Sequence, residues 1–152
     1  MANSVTVLVL SILVLVLGAG VETLMPKFLG VGFPVLMSAV QFAAVRRPAA
    51  TVVLFALAAG AMEDALSSLP AATSASYFLG LAALVRWSGM PRAAALFSYP
   101  VYQLWVFIWT GSSRGGVFGH VLLALPVGIA TALAVELVLG WAGRKAAVDE
   151  EG

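Results

Sequence analysis

The chain has 152 residues, 62% of them hydrophobic and only 10% charged, with a formal net charge of +1 and a mean hydropathy of +1.05. A soluble domain carries roughly 25% charged and about 45–50% apolar residues, so water is excluded as the main solvent and the bilayer fits. The absence of cysteine removes disulfides, thiolate metal sites and a cysteine nucleophile, and no block of basic residues points to nucleic acid.

The pattern predicts an all-α polytopic membrane protein, a six-transmembrane-helix bundle over residues 1–145 with a short acidic tail over 146–152. The first span covers Val5–Leu24 and ends at "MPK". Met1–Thr6 holds no Lys or Arg, and Val5–Val21 exceeds a usual signal-peptide core of about 7–15 residues. "LGAG" at Leu17–Gly20 still has the form of a cleavage site, which leaves signal cleavage as the lesser reading. The second span, Gly30–Val45, ends at "RRP" and contains Pro34; the third, Ala49–Leu66, ends at "SSLP". The fourth, Ala72–Trp87, ends at "SGMPR"; the fifth, Ala93–Thr110, contains Pro100 and ends at "GSSRGG"; the sixth, Val117–Trp141, contains Pro126. Pro, Gly and Ser punctuate every junction, and such short loops make neighbouring helices antiparallel. The second and fourth spans are short, at about 24 Å for 16 residues, and need a thin bilayer, snorkelling flanks or shelter behind neighbours.

Charge placement sets the topology. With six spans, Arg46, Arg47, Arg86, Arg92, Arg144 and Lys145 fall on one side, and Lys27 and Arg114 on the other. The positive-inside rule then places both termini in the cytoplasm, and the acidic tail counts little against it. Trp87 and Trp141 fall at the cytoplasmic ends and Trp109 at the outer end, as an aromatic belt requires.

The few polar residues inside spans need reasons. Glu63 and Asp64 lie about 20 Å up the third helix from its cytoplasmic end. Residues four apart share a face, so Ala56, Gly60 and Asp64 form one stripe whose small members admit a close helix. Asp64 is expected either to face that partner or to cap the loop that follows, while Glu63 points about 100° away, towards the interface. Gly128, Ala132, Glu136 and Gly140 repeat the pattern on the sixth helix. Glu136 snorkels to the cytoplasmic interface or pairs with Arg144 or a residue of another helix. Ala72, Ser76 and Gly80 make a third stripe. His120 is the one histidine and cannot build a metal site alone. "TGSSRGG" has no nearby base to activate a serine. No catalytic residue, cofactor or metal ligand is expected.

The stretch "FPVLMSAVQFAAVRRPAATVVLFALAAGAMEDALSS" resembles the MreD family of small rod-shape-determining membrane proteins. The likeness consists of an apolar span closed by Arg46-Arg47-Pro48, a span with a Gly-x-x-x-Asp element from Gly60 to Asp64, and an apolar span from Ala71 to Val85 after a small-residue turn. Two elements differ from the family pattern: Ala61-Met62-Glu63 fills the stretch before Asp64 and adds an acid at Glu63, and Ala71-Ala72 stand where that turn carries a Gly. The resemblance implies a non-enzymatic part of the wall-elongation machinery in the bacterial inner membrane. Its implied partners are a bitopic MreC-like protein and, through it, actin-like filaments and peptidoglycan synthases. It also implies a fold similar to the S components of energy-coupling-factor vitamin transporters. This supplies the alternative, a solute-binding subunit, for which Glu22, Glu63, Asp64, Arg114 and His120 at the outer ends would be the polar groups.

Overall fold

The computed structural model describes residues 4–29, 34–89, 91–111 and 117–149. Six helices follow one another: α1 (Ser4–Leu29), α2 (Val35–Arg46), α3 (Ala49–Leu66), α4 (Thr73–Ser88), α5 (Pro91–Thr110) and α6 (Val117–Asp149). No strand occurs among the described residues. The chain is all-helical, and the helices match the expected spans in number and order.

Three boundaries differ from expectation by more than two residues. Helix α1 continues through Pro26 to Leu29, since a helix among neighbours accepts proline when its freed carbonyl finds another donor. Helix α6 continues past Trp141 to Asp149, so the first part of the acidic tail is helical. At 33 residues it is about 50 Å long, more than the roughly 30 Å of a hydrocarbon core. Helix α2 starts five residues later than expected. It has 12 residues and a length of about 18 Å, because Pro34 does not kink a longer helix but stands at its N-cap with φ −80° and ψ 63°.

The short α2 is the hub of the bundle. It packs against α1, α3, α4, α5 and α6, and its Leu36, Met37, Ser38, Ala39, Val40, Gln41 and Ala44 are buried. The core continues through Val52, Phe55, Ala56 and Ala59 of α3 and Phe78, Leu81, Ala82 and Val85 of α4. Around it lies an apolar exterior. Val9, Ile12, Leu13, Val16 and Leu17 of α1 and Leu122, Leu123, Leu133, Leu137 and Val138 of α6 are all exposed. Ala49–Leu66 and Leu122–Trp141 are long and apolar enough to cross a membrane, and only 17% of the second stretch is buried. Ser11–Leu24 and Val35–Arg46 are shorter apolar helices. Contiguous apolar surface on this scale marks contact with lipid or with partner helices.

The α3–α4 turn holds two non-glycine residues at positive φ, Ser68 (53°) and Ala72 (68°). Ala72 is the N-cap of α4, and it occupies the slot where the resembled turn carries glycine. A left-handed conformation costs an L-residue about 1–2 kcal/mol through its Cβ. Ala72→Gly is therefore expected to raise thermal stability in detergent by about 1 kcal/mol, less the entropy that glycine loses on folding.

Candidate functional site

Gly60 lies where α3 crosses the start of α4. A Cβ built there would overlap the Cα of Ala75 and lie 2.5 Å from its nitrogen and 2.9 Å from the carbonyl carbon of Ser74. Only a hydrogen at this position lets the two backbones meet. One turn on, Asp64 is buried, and its Oδ1 accepts the backbone N–H of Ser74 at 2.7 Å. Ser74 sits at the second helical position of α4, where the amide has no partner within the helix, and the N-cap residue Ala72 makes no side-chain cap. Asp64 faces the adjoining helix, and what it caps is the start of that helix rather than the loop directly after α3.

Glu22 does the same for α2. Its Oε1 accepts the backbone N–H of Leu36 at 2.7 Å, again the second helical position, where the N-cap residue Pro34 has no side-chain cap. In each of the pairs α1–α2 and α3–α4, a carboxylate late in the first helix closes the N-terminus of the second. A carboxylate suits this place because the aligned peptide dipoles leave the helix N-terminus positive. At the other end of α2, Nη1 of Arg86 donates to the carbonyl of Arg47 at 2.9 Å and to that of Ala44 at 3.5 Å. Neighbouring helices therefore satisfy both ends of the hub with charges of the sign that each end attracts.

Polar contacts spread from the Asp64 cap. Ser74 Oγ and the Tyr102 hydroxyl are 2.6 Å apart, Trp105 Nε1 donates to the carbonyl of Thr73 at 3.0 Å, and the Tyr77 hydroxyl donates to the carbonyl of Ser98. The rings of Tyr77 and Tyr102 are 5.1 Å apart between centroids, and Trp105 lies 6.3 Å from Tyr77. Glu63 is half-buried. It accepts from Ser67 Oγ at 3.0 Å, and its carboxyl lies near that of Glu22. The ends of α1, α3, α4 and α5 thus share a polar cluster.

On the sixth helix, Gly128 is buried and a Cβ there would lie 2.9 Å from Cβ of Tyr99, so α5 and α6 cross at this point. Ala132 is half-buried. Glu136 is exposed and pairs across helices with Arg46 at 3.9 Å, and Arg46 lies 4.2 Å over the Phe42 ring. An exposed pair at this distance contributes little. Arg46, Arg47 and Arg86 gather at one end of the bundle through these contacts. The side chains of Arg92, Arg144, Lys145, Lys27 and His120 lie outside the described residues, as does Arg114 altogether.

The third stripe is not a packed face of the bundle. Ser76 and Gly80 are exposed, and a Cβ at Gly80 meets nothing within 4 Å. Helix α4 turns Ser74, Ala75, Phe78, Leu81, Ala82 and Val85 inward instead, because the anchor at Ser74–Ala75 sets its rotation. Sequence reasoning missed the capping role of Glu22 and the contributions of Ser74, Tyr102 and Trp105. An acid late in one apolar helix, some ten to fourteen residues before the second position of the next, was the available signal.

No family model, curated protein or solved structure matches the chain.

Proposed function

We propose that this chain is a non-enzymatic integral membrane scaffold of the cell-wall elongation machinery, of the MreD kind, acting through an MreC-like bitopic partner. On this reading it sits in the bacterial inner membrane, with its six helices spanning as one bundle and both termini cytoplasmic. The short α2 would cross inside a sleeve of its neighbours, with Glu22 and Arg86 closing its ends.

One observation carries the reading. The residues behind the family likeness, Gly60 to Asp64 and the turn after them, form a joint between α3 and α4. The Asp64–Ser74, Ser74–Tyr102 and Trp105–Thr73 contacts of that joint each hold one helix to another, which suits a scaffold. Arg46, Arg47 and Arg86 at one end, with Trp87 exposed beside them, support a cytoplasmic face there.

Affinity purification of the full chain from bacterial membranes tests the partner. A one-span coiled-coil protein and peptidoglycan synthases are expected to copurify. Their absence, with an ATPase module in their place, would replace the scaffold by the solute-binding alternative, which the polar cluster at Glu22, Glu63 and Asp64 favours. Topology has its own test. A single cysteine at Arg47, in a chain that has none of its own, is expected to resist a membrane-impermeant maleimide in intact cells and to react after lysis. Labelling from outside would invert the orientation.

A further inference from the structure

Three arginines meet at the end of the bundle where α2 and α4 stop. Arg46 and Arg47 follow one another at the C-terminus of α2, and Arg86 lies in the last turn of α4. The bonds from Arg86 to the carbonyls of Arg47 and Ala44, at 2.9 and 3.5 Å, draw its guanidinium onto the end of α2. Arg46 sits over the Phe42 ring, with Glu136 at 3.9 Å. All three arginines are exposed.

Little on the protein answers this charge. Among the described residues, Glu136 is the one acid that pairs with any of the three. That contact is long and half-exposed on both sides, so it contributes little and yields readily to a competing anion. The C-terminal dipole of α2 offsets about half an elementary charge beside Arg86. Helix α3 begins two residues after Arg47, with no acid in its first turn and no side-chain cap at Pro48, so that turn brings no negative group either.

The surroundings suit lipid headgroups. Trp87, next to Arg86, is 90% exposed, and an indole so placed belongs in the headgroup layer of a membrane. Val45 and Leu84, one and two residues before Arg46 and Arg86, are exposed as well. Apolar side chains therefore adjoin the arginines on both helices, at the depth where acyl chains begin. A soluble polyanion would meet the charge but leave these side chains and the indole in water. Guanidinium groups take phosphate oxygens two at a time, and basic groups gathered between helices at a cytoplasmic face suit anionic headgroups.

We propose that Arg46, Arg47 and Arg86, with Trp87 beside them, form a docking surface for the phosphate headgroups of anionic phospholipids. This surface presupposes the bilayer placement proposed above, but not the elongation partner.

The test follows thermal unfolding of the full chain in detergent, titrated with phosphatidylglycerol, with phosphatidylcholine or with inorganic phosphate. A saturable rise in Tm is expected with phosphatidylglycerol and with neither of the others, and it should shrink as sodium chloride screens the charges. One arginine near a headgroup changes affinity by about fivefold. The half-saturating phosphatidylglycerol concentration should thus rise about fivefold in Arg47→Gln and about 25-fold in Arg46→Gln/Arg47→Gln. It should stay native in Lys27→Gln, on the other side of the six-span topology. If the double variant does not fold, Arg47→Gln decides. Equal responses to the two phospholipids, or native affinity in Arg47→Gln, would overturn the surface. An equal rise with inorganic phosphate would make it a site for free anions and overturn the lipid assignment. A chain that stays dissolved without detergent would instead remove the bilayer placement itself, and the surface with it.

Discussion

Gly60→Leu is expected to remove most of the folded protein from the membrane, measured as monodisperse material recovered in detergent. The first side-chain atom already collides with the backbone of Ala75 and Ser74, and backbone cannot swing aside as the tip of a side chain can. Helix α4 must move away from α3, which separates Asp64 from the Ser74 amide one turn further on. The Ser74–Tyr102 and Thr73–Trp105 contacts then lose register as well. Overpacking alone costs about 1–3 kcal/mol and occasionally more, and the lost cap adds about 1–3 kcal/mol. The sum is a large share of the roughly 5–15 kcal/mol that holds a typical fold together. Gly60→Ala should show the same effect in milder form. Gly80→Leu is the internal control, since a side chain there meets nothing, and leucine is the better helix former by about 0.5–1 kcal/mol. Recovery and Tm equal to native for Gly60→Leu would dispose of the close crossing.

The contrast between Gly60 and Gly80 shows what the sequence made legible and what it did not. Helix number, order and most boundaries follow from apolar run length and from Pro, Gly and Ser punctuation, which are local properties. The small-residue stripe through Gly60 and Asp64 was equally plain. Nothing local distinguishes that stripe from Ala72, Ser76 and Gly80, because the rotation of α4 is set by where its first turn is anchored. That anchor lies on α3, across a turn whose Ala72 takes a conformation sequence would assign to glycine. The shortness of α2 was hidden for a related reason. An apolar run continues through Pro34, and only the capping contact from Glu22, fourteen residues upstream, shows that the helix begins there. Glu22 reads from the sequence only as a polar group at the outer end, and its role depends wholly on a tertiary contact. The position of Glu136 near the helix end allows snorkelling, pairing with Arg144 or pairing with another helix, and its contact with Arg46 comes from the packing of α2 on α6.

Alanine in place of either capping carboxylate, Asp64→Ala or Glu22→Ala, is expected to lower stability by about 1–3 kcal/mol, since each exposes a helix-start amide with no other acceptor. A soluble helix would turn such an amide to water. In a bundle sheathed by apolar side chains little water is at hand, so the cost should lie towards the upper end of that range. The charge matters less than the oxygen. Asp64→Asn and Glu22→Gln keep an acceptor and lose only the attraction to the helix dipole, about 0.3–1 kcal/mol at an ordinary helix end. The expected order in thermal unfolding is therefore native, then amide, then alanine, at both positions. Amide exchange gives the local readout. The Ser74 N–H should exchange faster in Asp64→Ala and the Leu36 N–H faster in Glu22→Ala, each leaving the other amide protected. Asp64 and Tyr102 meet through the one residue Ser74. The loss in Asp64→Ala/Tyr102→Phe should accordingly fall short of the two single losses added together, by about 0.5 kcal/mol or more. Strict additivity, or Asn and Ala variants of equal stability at position 64, would mean that Asp64 does not hold the start of α4, and with it the joint that fixes how these helices meet.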